Sequence, residues 1–415
     1  MRSIRFTFCL VAVLSTGWAL AQTSEAQTDE FTPETASTPV AHVYVGSGSQ
    51  TLAFSAVSNG KLTAVPGSPF NFNISLSGAN GHFLFGFEPN SVTIDSLSMA
   101  ANGALKKVAS TNPQTYWPDP TCPMVTWNGQ GLRIDHSGQD LYNAGIPGEF
   151  GCYSSFQSFK INDTTGKLTY LGETDGIFNG GPQLNILGNN EFAYSVVCEY
   201  PFGNGATPEI TAFQRLSSGE LVTAKAGVSI PAAPVNASDP SGPTAGYYCP
   251  IAMATDPTNH AAITYFAVDN NGVQYGPAVI ATYTADAKGN LTTTNTYKTM
   301  ATLPTGSDGS NTSCLDCAAL RMAPSGKLLA AAGSTGVVLF HFNGGSPATP
   351  YKNLLAGSGI GSVLWDNENH LYALGSDAKG GKLWVYTVTP TSITEAPGSP
   401  YAIANPGSMY VQSLK

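Results

Sequence analysis

Arginine is the residue type whose placement most directly suggests chemistry in this sequence. Beyond position 21 the chain contains only Arg133, Arg215 and Arg321. Arg133 and Arg321 each stand six residues before a recurring polar position, occupied by Gln139 and Lys327. Two guanidinium groups in equivalent places could hold a carboxylate or another anion by paired hydrogen bonds. Alternatively, each arginine could tie neighbouring strands together through backbone carbonyls or a buried acid.

A second candidate site consists of aromatic and acidic residues in the long segments between the expected strands. Its candidate ligand-binding residues are Tyr116, Trp117, Glu149, Glu199, Tyr200 and Tyr248. Functional side chains concentrate on loops that a rigid scaffold holds, and aromatic rings beside a few acids suit apolar or carbohydrate-like ligands. The alternative is that these segments only cover one face of the fold and are held there by disulfides.

Four histidines share one repeated position of the sequence and do not predict a metal site. They are His42, His82, His260 and His370. A position that takes His, Lys, Gln or Glu in different copies indicates a turn-flanking surface residue, which has no reason to converge with its equivalents on one ion. We therefore predict neither a metal nor a cofactor.

Cysteine usage favours disulfides. Six cysteines follow the N-terminal segment, namely Cys122, Cys152, Cys198, Cys249, Cys314 and Cys317. An even number of cysteines in an exported chain favours bridging, and the single C-x-x-C at 314–317 lacks the second pair that zinc spacing requires. All six are disulfide candidates, and their connectivity stays open.

Residues 1–21 have the features of a secretory signal peptide. Arg2 and Arg5 precede an apolar run, and small residues at Ala19 and Ala21 predict cleavage after Ala21. Residues 22–40 are polar and aperiodic and indicate a flexible linker. We therefore expect an exported protein, periplasmic or extracellular. No later segment has the 18 continuous apolar residues of a membrane span, and no Lys/Arg cluster indicates nucleic-acid binding.

The composition narrows the fold class. Of 415 residues only 45 are charged (18 Lys+Arg and 27 Asp+Glu), against 45 Gly and 28 Pro. A charged fraction of 11%, far below the roughly 25% of ordinary domains, excludes coiled coils and charge-rich disordered chains. Frequent Gly and Pro indicate frequent turns, so the composition favours many short strands.

A repeat then predicts the architecture. Seven segments share a turn, one polar residue and a short apolar strand, and they start at positions 42, 82, 139, 191, 260, 327 and 370. Neighbouring strand patterns give four strands in each unit, which over residues 41–415 predicts a seven-bladed β-propeller. The first unit begins with its second strand and lacks an innermost strand, whereas the apolar strand at 408–413 follows the last complete unit. We expect this last strand to join the N-terminal blade and close the ring.

Three turn motifs carry a resemblance to a known family. They are A-P-S-G-K-L-L-A at 323–330, T-G-K-L-T at 165–169, and P-G-S-P-F/Y at 66–70 and 397–401. These motifs resemble the lactonase-type seven-bladed propeller family, which includes 6-phosphogluconolactonase-like and muconate-cyclising members. The resemblance covers residues 41–415 and implies closely spaced histidines with arginine and glutamate in a central site. The nearest stretch here, 133–138, contains one histidine, His136.

Two functional hypotheses follow. In the first, the protein is a lactonase-like hydrolase that opens a sugar-derived or other lactone, with Arg133 and Arg321 stabilising charge on the carbonyl oxygen. Glu149 or Glu199 would then orient the attacking water. In the second, the protein is a non-catalytic propeller that binds a glycan, a peptide or a protein partner through its insertion-rich face.

Overall fold

The computed structural model describes most of the chain beyond the predicted leader. The described residues are 38–73, 75–117, 124–125, 132–147, 155–174, 183–199, 207–239, 244–304 and 319–414. The predicted signal peptide and the linker up to residue 37 lie outside them. Val40, the last residue of the predicted linker, is buried, and its amide donates to the carbonyl of Ala56 at 2.8 Å.

The protein is all-β, with seven four-stranded antiparallel blades in a propeller ring, as the sequence predicts. Strands are given from innermost to outermost. Blade 1 contains Pro406–Ser413, Ala41–Ser47, Gln50–Ala56 and Leu62–Ala64. Blade 2 contains Ser75–Ala79, Phe83–Phe87, Ile94–Met99 and Leu105–Thr111. Blade 3 contains Leu132–Ile134, Asp140–Pro147, Ser155–Ile161 and Leu168–Glu173.

The remaining four blades repeat this order. Blade 4 contains Gln183–Ile186, Phe192–Glu199, Thr207–Arg215 and Leu221–Thr223. Blade 5 contains Tyr247–Thr255, His260–Val268, Gln274–Ala285 and Leu291–Thr292. Blade 6 contains Ala319–Met322, Leu328–Gly333, Gly336–Asn343 and Ser346–Leu354. Blade 7 contains Gly359–Trp365, His370–Asp377, Gly380–Val388 and Ile393–Glu395.

Short elements decorate the blades. Met124–Val125 pairs with the second strand of blade 3, Ala301–Thr302 with the third strand of blade 5, and Tyr401–Ala402 with the third strand of blade 7. A two-stranded ribbon joins Val235–Asn236 to Thr244–Ala245, and a single 3₁₀ turn spans Pro113–Tyr116. In the described part of the chain, no helix is long and apolar enough to cross a lipid bilayer.

The last strand closes the ring, as predicted. Pro406–Ser413 pairs antiparallel with Ala41–Ser47, with Val411 opposite Val43 and Ser413 opposite Ala41. This pairing gives blade 1 its innermost strand and leaves no unpaired strand edge at the seam. Between adjacent blades lies an apolar cluster, and the cluster at the seam packs Val43 and Val411 against Leu383 of blade 7.

The structure explains why glycine begins the repeated Gly-Lys-Leu-Thr and Gly-Asn-Leu-Thr turns. Gly289 has a φ of +80°, a left-handed conformation that favours glycine, and an added Cβ would lie 2.6 Å from Cδ1 of Phe192 in blade 4. Its carbonyl also accepts the hydroxyl of Tyr194. Tyr44 donates in the same way to Gly103, at 3.0 Å. These turns therefore connect blade 4 to blade 5 and blade 1 to blade 2.

The interpretation of the histidine position as a surface position is wrong for two of the four histidines. His42 and His370 are not surface residues, because their exposed fractions are 1% and 0%. The Nε2 atom of His42 contacts the carbonyl of Ala101 at 3.4 Å, and that of His370 contacts the carbonyl of Ser58 at 3.1 Å. Both carbonyls belong to a turn of the adjacent blade, so these two histidines form buried contacts between blades, whereas His82 is exposed and His260 is half-buried.

Candidate functional site

The innermost strands of all seven blades surround a central cavity of about 800 Å³. This volume lies within the range of about 300–1,000 Å³ that is typical of small-molecule sites. Small residues such as Gly78, Ala79, Gly361 and Gly407 keep parts of the wall thin. The chemistry of this cavity depends on the few long side chains that enter it.

Arg133 and Arg321 both line this cavity. They occupy equivalent positions on the innermost strands of blades 3 and 6, which are three blades apart in a ring of seven and so lie nearly opposite each other. The structure thus brings together the two arginines that share one position in the sequence repeat.

The two guanidinium groups use few of their donors. Arg133 donates from Nε to the carbonyl of Leu184 at 3.1 Å and from Nη1 to that of Leu132 at 3.0 Å. Arg321 donates from Nη1 to the carbonyl of Leu320 at 3.0 Å. Among the described residues neither arginine has a carboxylate within salt-bridge distance. Each guanidinium has five N–H donors, and the described residues leave most of these donors to a ligand.

Burial and mutual repulsion make this pair of charges unfavourable without an anion. Burial lowers the pKa of Arg133 and is opposed by the neighbouring Tyr410 hydroxyl. Burial first, and then the positive charge of Arg133, lower the pKa of Arg321 to about 9. An anion placed in the cavity would stabilise the positive charge of both groups.

The third arginine, Arg215, explains why Asp135 in the cavity wall does not neutralise Arg133 and Arg321. Asp135 lines the cavity, but Arg215 lies 3.2 Å from its Oδ2 atom. Asn190 also donates to that atom at 2.8 Å. Burial opposes ionisation of Asp135, yet the hydrogen bonds from Ser137 and Asn190 and the charge of Arg215 together lower its pKa. Asp135 is thus a structural carboxylate between blades 3 and 4.

His136 is a further titratable group of the cavity wall with a described hydrogen bond to another blade. Its Nε2 atom lies 3.2 Å from the carbonyl of Ile186. Because a carbonyl only accepts, Nε2 carries the proton in the neutral ring and Nδ1 is left as an acceptor. The ring is exposed at the channel. His136 can therefore accept a proton from a bound water or ligand.

The polar groups of the wall would suit a hydroxylated ligand. They are Gln183, Asn185, Thr255, Ser362, Ser408 and Tyr410. Of these, Ser408 and Tyr410 come from the ring-closing strand. The repeat pattern did not identify them, although aligning that strand with the other innermost strands would have placed them at the channel.

The predicted aromatic residues do not join the arginines. Tyr116 stacks on Tyr170 with ring centroids 4.6 Å apart, beside the outermost strand of blade 3. The ring of Trp117 covers Gly145, where an added Cβ would lie 2.1 Å from it. Tyr248 is only 3% exposed and lies in the core between blades 4 and 5. The structure therefore separates a central cationic site from peripheral aromatic residues.

Other predicted residues fall partly or wholly outside the described chain. Glu149, Tyr200, Cys122, Cys152, Cys314 and Cys317 lie outside it. Glu199 ends the second strand of blade 4, and its side chain is likewise outside the description. Cys198 and Cys249 form a disulfide with a Cα–Cα distance of 5.2 Å. It joins the second strand of blade 4 to the innermost strand of blade 5.

Comparisons with known proteins support the fold. A functionally unknown protein from Desulfotomaculum acetoxidans is 13% identical, with a TM-score of 0.55 over 90% of this chain and 99% of that one. A protein from Lactobacillus plantarum is 11% identical, with a TM-score of 0.54 over 90% and 99%. The periplasmic gluconolactonase PpgL of Pseudomonas aeruginosa is 11% identical over 90% and 99%, with a TM-score of 0.46. No protein-family model and no curated protein sequence matches the chain.

Proposed function

We propose that this protein is an exported, lactonase-like propeller that binds a small sugar-derived acid or lactone in its central channel. The observation that carries this proposal is that Arg133 and Arg321 line one cavity of about 800 Å³ without a described acid partner. Two desolvated positive charges favour a ligand with a carboxylate or with a carbonyl oxygen that becomes negative during reaction. The hydroxyl and amide groups of the wall suit the rest of a sugar.

Lactone opening is the reaction that fits these groups. Water adds to the lactone carbonyl carbon, the ring C–O bond breaks, and the product is a hydroxy acid. Arg133 and Arg321 would stabilise the oxyanion and then the product carboxylate. Nδ1 of His136 would take the proton of the water and return it to the leaving ring oxygen. The role of Glu149 or Glu199 in orienting water stays a prediction.

Export to the periplasm or the extracellular space is part of the same proposal. The N-terminal sequence supports it, and so does the Cys198–Cys249 disulfide, because such bridges persist in oxidising compartments.

A non-catalytic role is the second candidate. The observation that favours it is the engagement of Asp135 by Arg215 and Asn190, which withdraws a carboxylate from any role as a base. In that case the channel would bind an anion without turnover, or the aromatic residues would bind a glycan, a peptide or a protein partner. Tyr116, 38% exposed, is the described member of that group that a partner could reach.

Hydrolysis and binding measurements on the full mature chain would test the proposal. Opening of D-glucono-1,5-lactone is followed by pH-stat, and binding of gluconate by calorimetry. We expect the Arg133→Ala/Arg321→Ala double variant to lose about 100-fold in rate and to bind gluconate much more weakly. Lys352→Ala, on the outermost strand of blade 6, is the matched control. Equal rates and affinities in all three proteins would overturn the arginine site.

The same measurements separate the two candidates. Gluconate binding without lactone turnover would establish a non-catalytic channel. If neither occurs, a glycan array with Tyr116→Ala tests the aromatic residues, with Tyr297→Ala as a control because Tyr297 is an exposed tyrosine elsewhere on the surface. Loss of binding in the Tyr116 variant alone would locate the ligand at blade 3.

A further inference from the structure

The strand that closes the ring also forms part of the channel wall. Gly407, Ser408, Met409 and Tyr410 line the cavity, and all four belong to Pro406–Ser413. This strand comes from the far end of the sequence and is held on blade 1 by backbone hydrogen bonds to Ala41–Ser47 and by side-chain packing. The cavity is therefore complete only while the C-terminal strand is in place.

Tyr410 is the member of this strand that interacts electrostatically with Arg133. Its hydroxyl donates to the carbonyl of Ala79 in blade 2 at 3.4 Å, which is long for an O–H···O bond. Gly78 and Ala79 have almost no side chain there, so the phenol can extend past blade 2 toward Arg133 of blade 3. Burial raises the pKa of Tyr410, whereas the positive charge of Arg133 opposes that change.

The ring of Tyr410 is held on its other side by the core. It packs against the cluster between blades 1 and 2 that contains Tyr44 and Leu84. The orientation of the ring is thus set by packing, while its hydroxyl makes one weak hydrogen bond to the described residues. Such a group can turn its O–H to a better acceptor without moving the strand.

We infer that Tyr410 is a ligand contact of the channel, and that anion binding there is coupled to closure of the ring by the C-terminal strand. The inference rests on the proposed function, because it places the bound anion at Arg133. An anion held by that guanidinium is a stronger acceptor for the Tyr410 hydroxyl than the distant carbonyl of Ala79. Only the closed ring presents the hydroxyl, so the ligand stabilises closure by mass action.

Hydrogen exchange of the full mature chain, with gluconate and inorganic phosphate as separate probes, measures this coupling. At a probe concentration of 100 times its dissociation constant, exchange of the 406–413 amides through local opening of the strand should slow by about 100-fold. Tyr410→Phe keeps the ring but removes the hydroxyl. We expect it to bind the probe roughly tenfold more weakly and to lose most of the protection at the same probe concentration.

Tyr351→Phe is the matched control, because the Tyr351 hydroxyl also donates to one backbone carbonyl, that of Thr389 at 3.1 Å, on the outside of blade 6. This variant should bind as the wild type does. If a probe binds and Arg133→Ala abolishes binding, yet Tyr410→Phe and the 406–413 exchange are unaffected, the coupling is overturned and the arginine site stands. If neither probe binds the wild type, both the site and the coupling are overturned.

Discussion

The imidazole of His370 joins the last blade to the first, since its Nε2 atom lies 3.1 Å from the carbonyl oxygen of Ser58. Its Nδ1 atom lies 2.7 Å from Oδ2 of Asp366, which also accepts the hydroxyl of Tyr372 at 2.8 Å. A ring with both nitrogens facing acceptors is most stable when both carry protons. The seam of the propeller therefore contains a buried contact that depends on the charge of His370.

This contact predicts a pH dependence of stability. Burial opposes protonation of His370, but the hydrogen bond and charge of Asp366 and the carbonyl of Ser58 together raise its pKa above 6.5. A raised pKa in the folded state gives stability that is full below about 6.5 and is lost as the pH rises through the folded-state value. Denaturant unfolding of the wild type should therefore show a loss of free energy of unfolding above pH 6.5.

His370→Gln isolates this contribution. Glutamine can still donate to Ser58 but cannot become charged, so the variant should be less stable than the wild type at pH 6, with a smaller difference at pH 9. Burial lowers the pKa of His42, so the contribution of His42 to stability changes with pH in the opposite direction. The comparison of His370→Gln with the wild type is therefore needed to separate the two histidines. A difference between the two proteins that does not change with pH would contradict the assignment to His370.

The unpaired arginines of the channel should favour anion binding but lower the stability of the protein without a ligand. Arg321 donates only to the carbonyl of its own neighbour Leu320 among the described residues, so its half-buried charge costs free energy in the protein without a ligand. Arg321→Met should raise the free energy of unfolding by about 1 kcal/mol and weaken gluconate binding by at least tenfold. Lys352→Met in the same blade is the control. A destabilised Arg321→Met protein would show that the arginine has a structural role.

For Arg215 we predict the opposite effect on stability from that of Arg321. It contacts two buried carboxylates, Asp135 at 3.2 Å and Asp140 at hydrogen-bond distance, between blades 3 and 4. Removing one partner of a buried pair leaves an uncompensated charge that costs about 3–5 kcal/mol. Arg215→Met should therefore lose about this much free energy of unfolding in denaturant titration, whereas Arg321→Met should not. Equal effects of the two substitutions would contradict the distinction between a structural and a ligand-binding arginine.

The sequence predicts the repeated parts of this molecule better than the unique ones. The blade number, the closing strand and the place of Arg133 and Arg321 on innermost strands all follow from turn residues and from a pattern that seven units repeat. The burial of His370 could not be predicted in this way, because its partner Ser58 comes from a blade that is distant in sequence. The approach of Tyr410 to Arg133 likewise depends on the curvature of the ring, which cannot be predicted from a local sequence pattern.

The Cys198–Cys249 bridge predicts that the junction of blades 4 and 5 depends on oxidation. The bridge closes a loop with a sequence separation of 51 residues, for which loop-closure entropy gives about 4 kcal/mol. The Cys198→Ala/Cys249→Ala variant should lose about this free energy of unfolding. Cys249 is fully buried and Cys198 is partly buried, so reduction of the wild type should require partial opening and proceed slowly. Thiol alkylation of the folded protein, with mass spectrometry of the 198 and 249 peptides, would follow it. Rapid labelling of both cysteines without reductant would show that the bridge does not form.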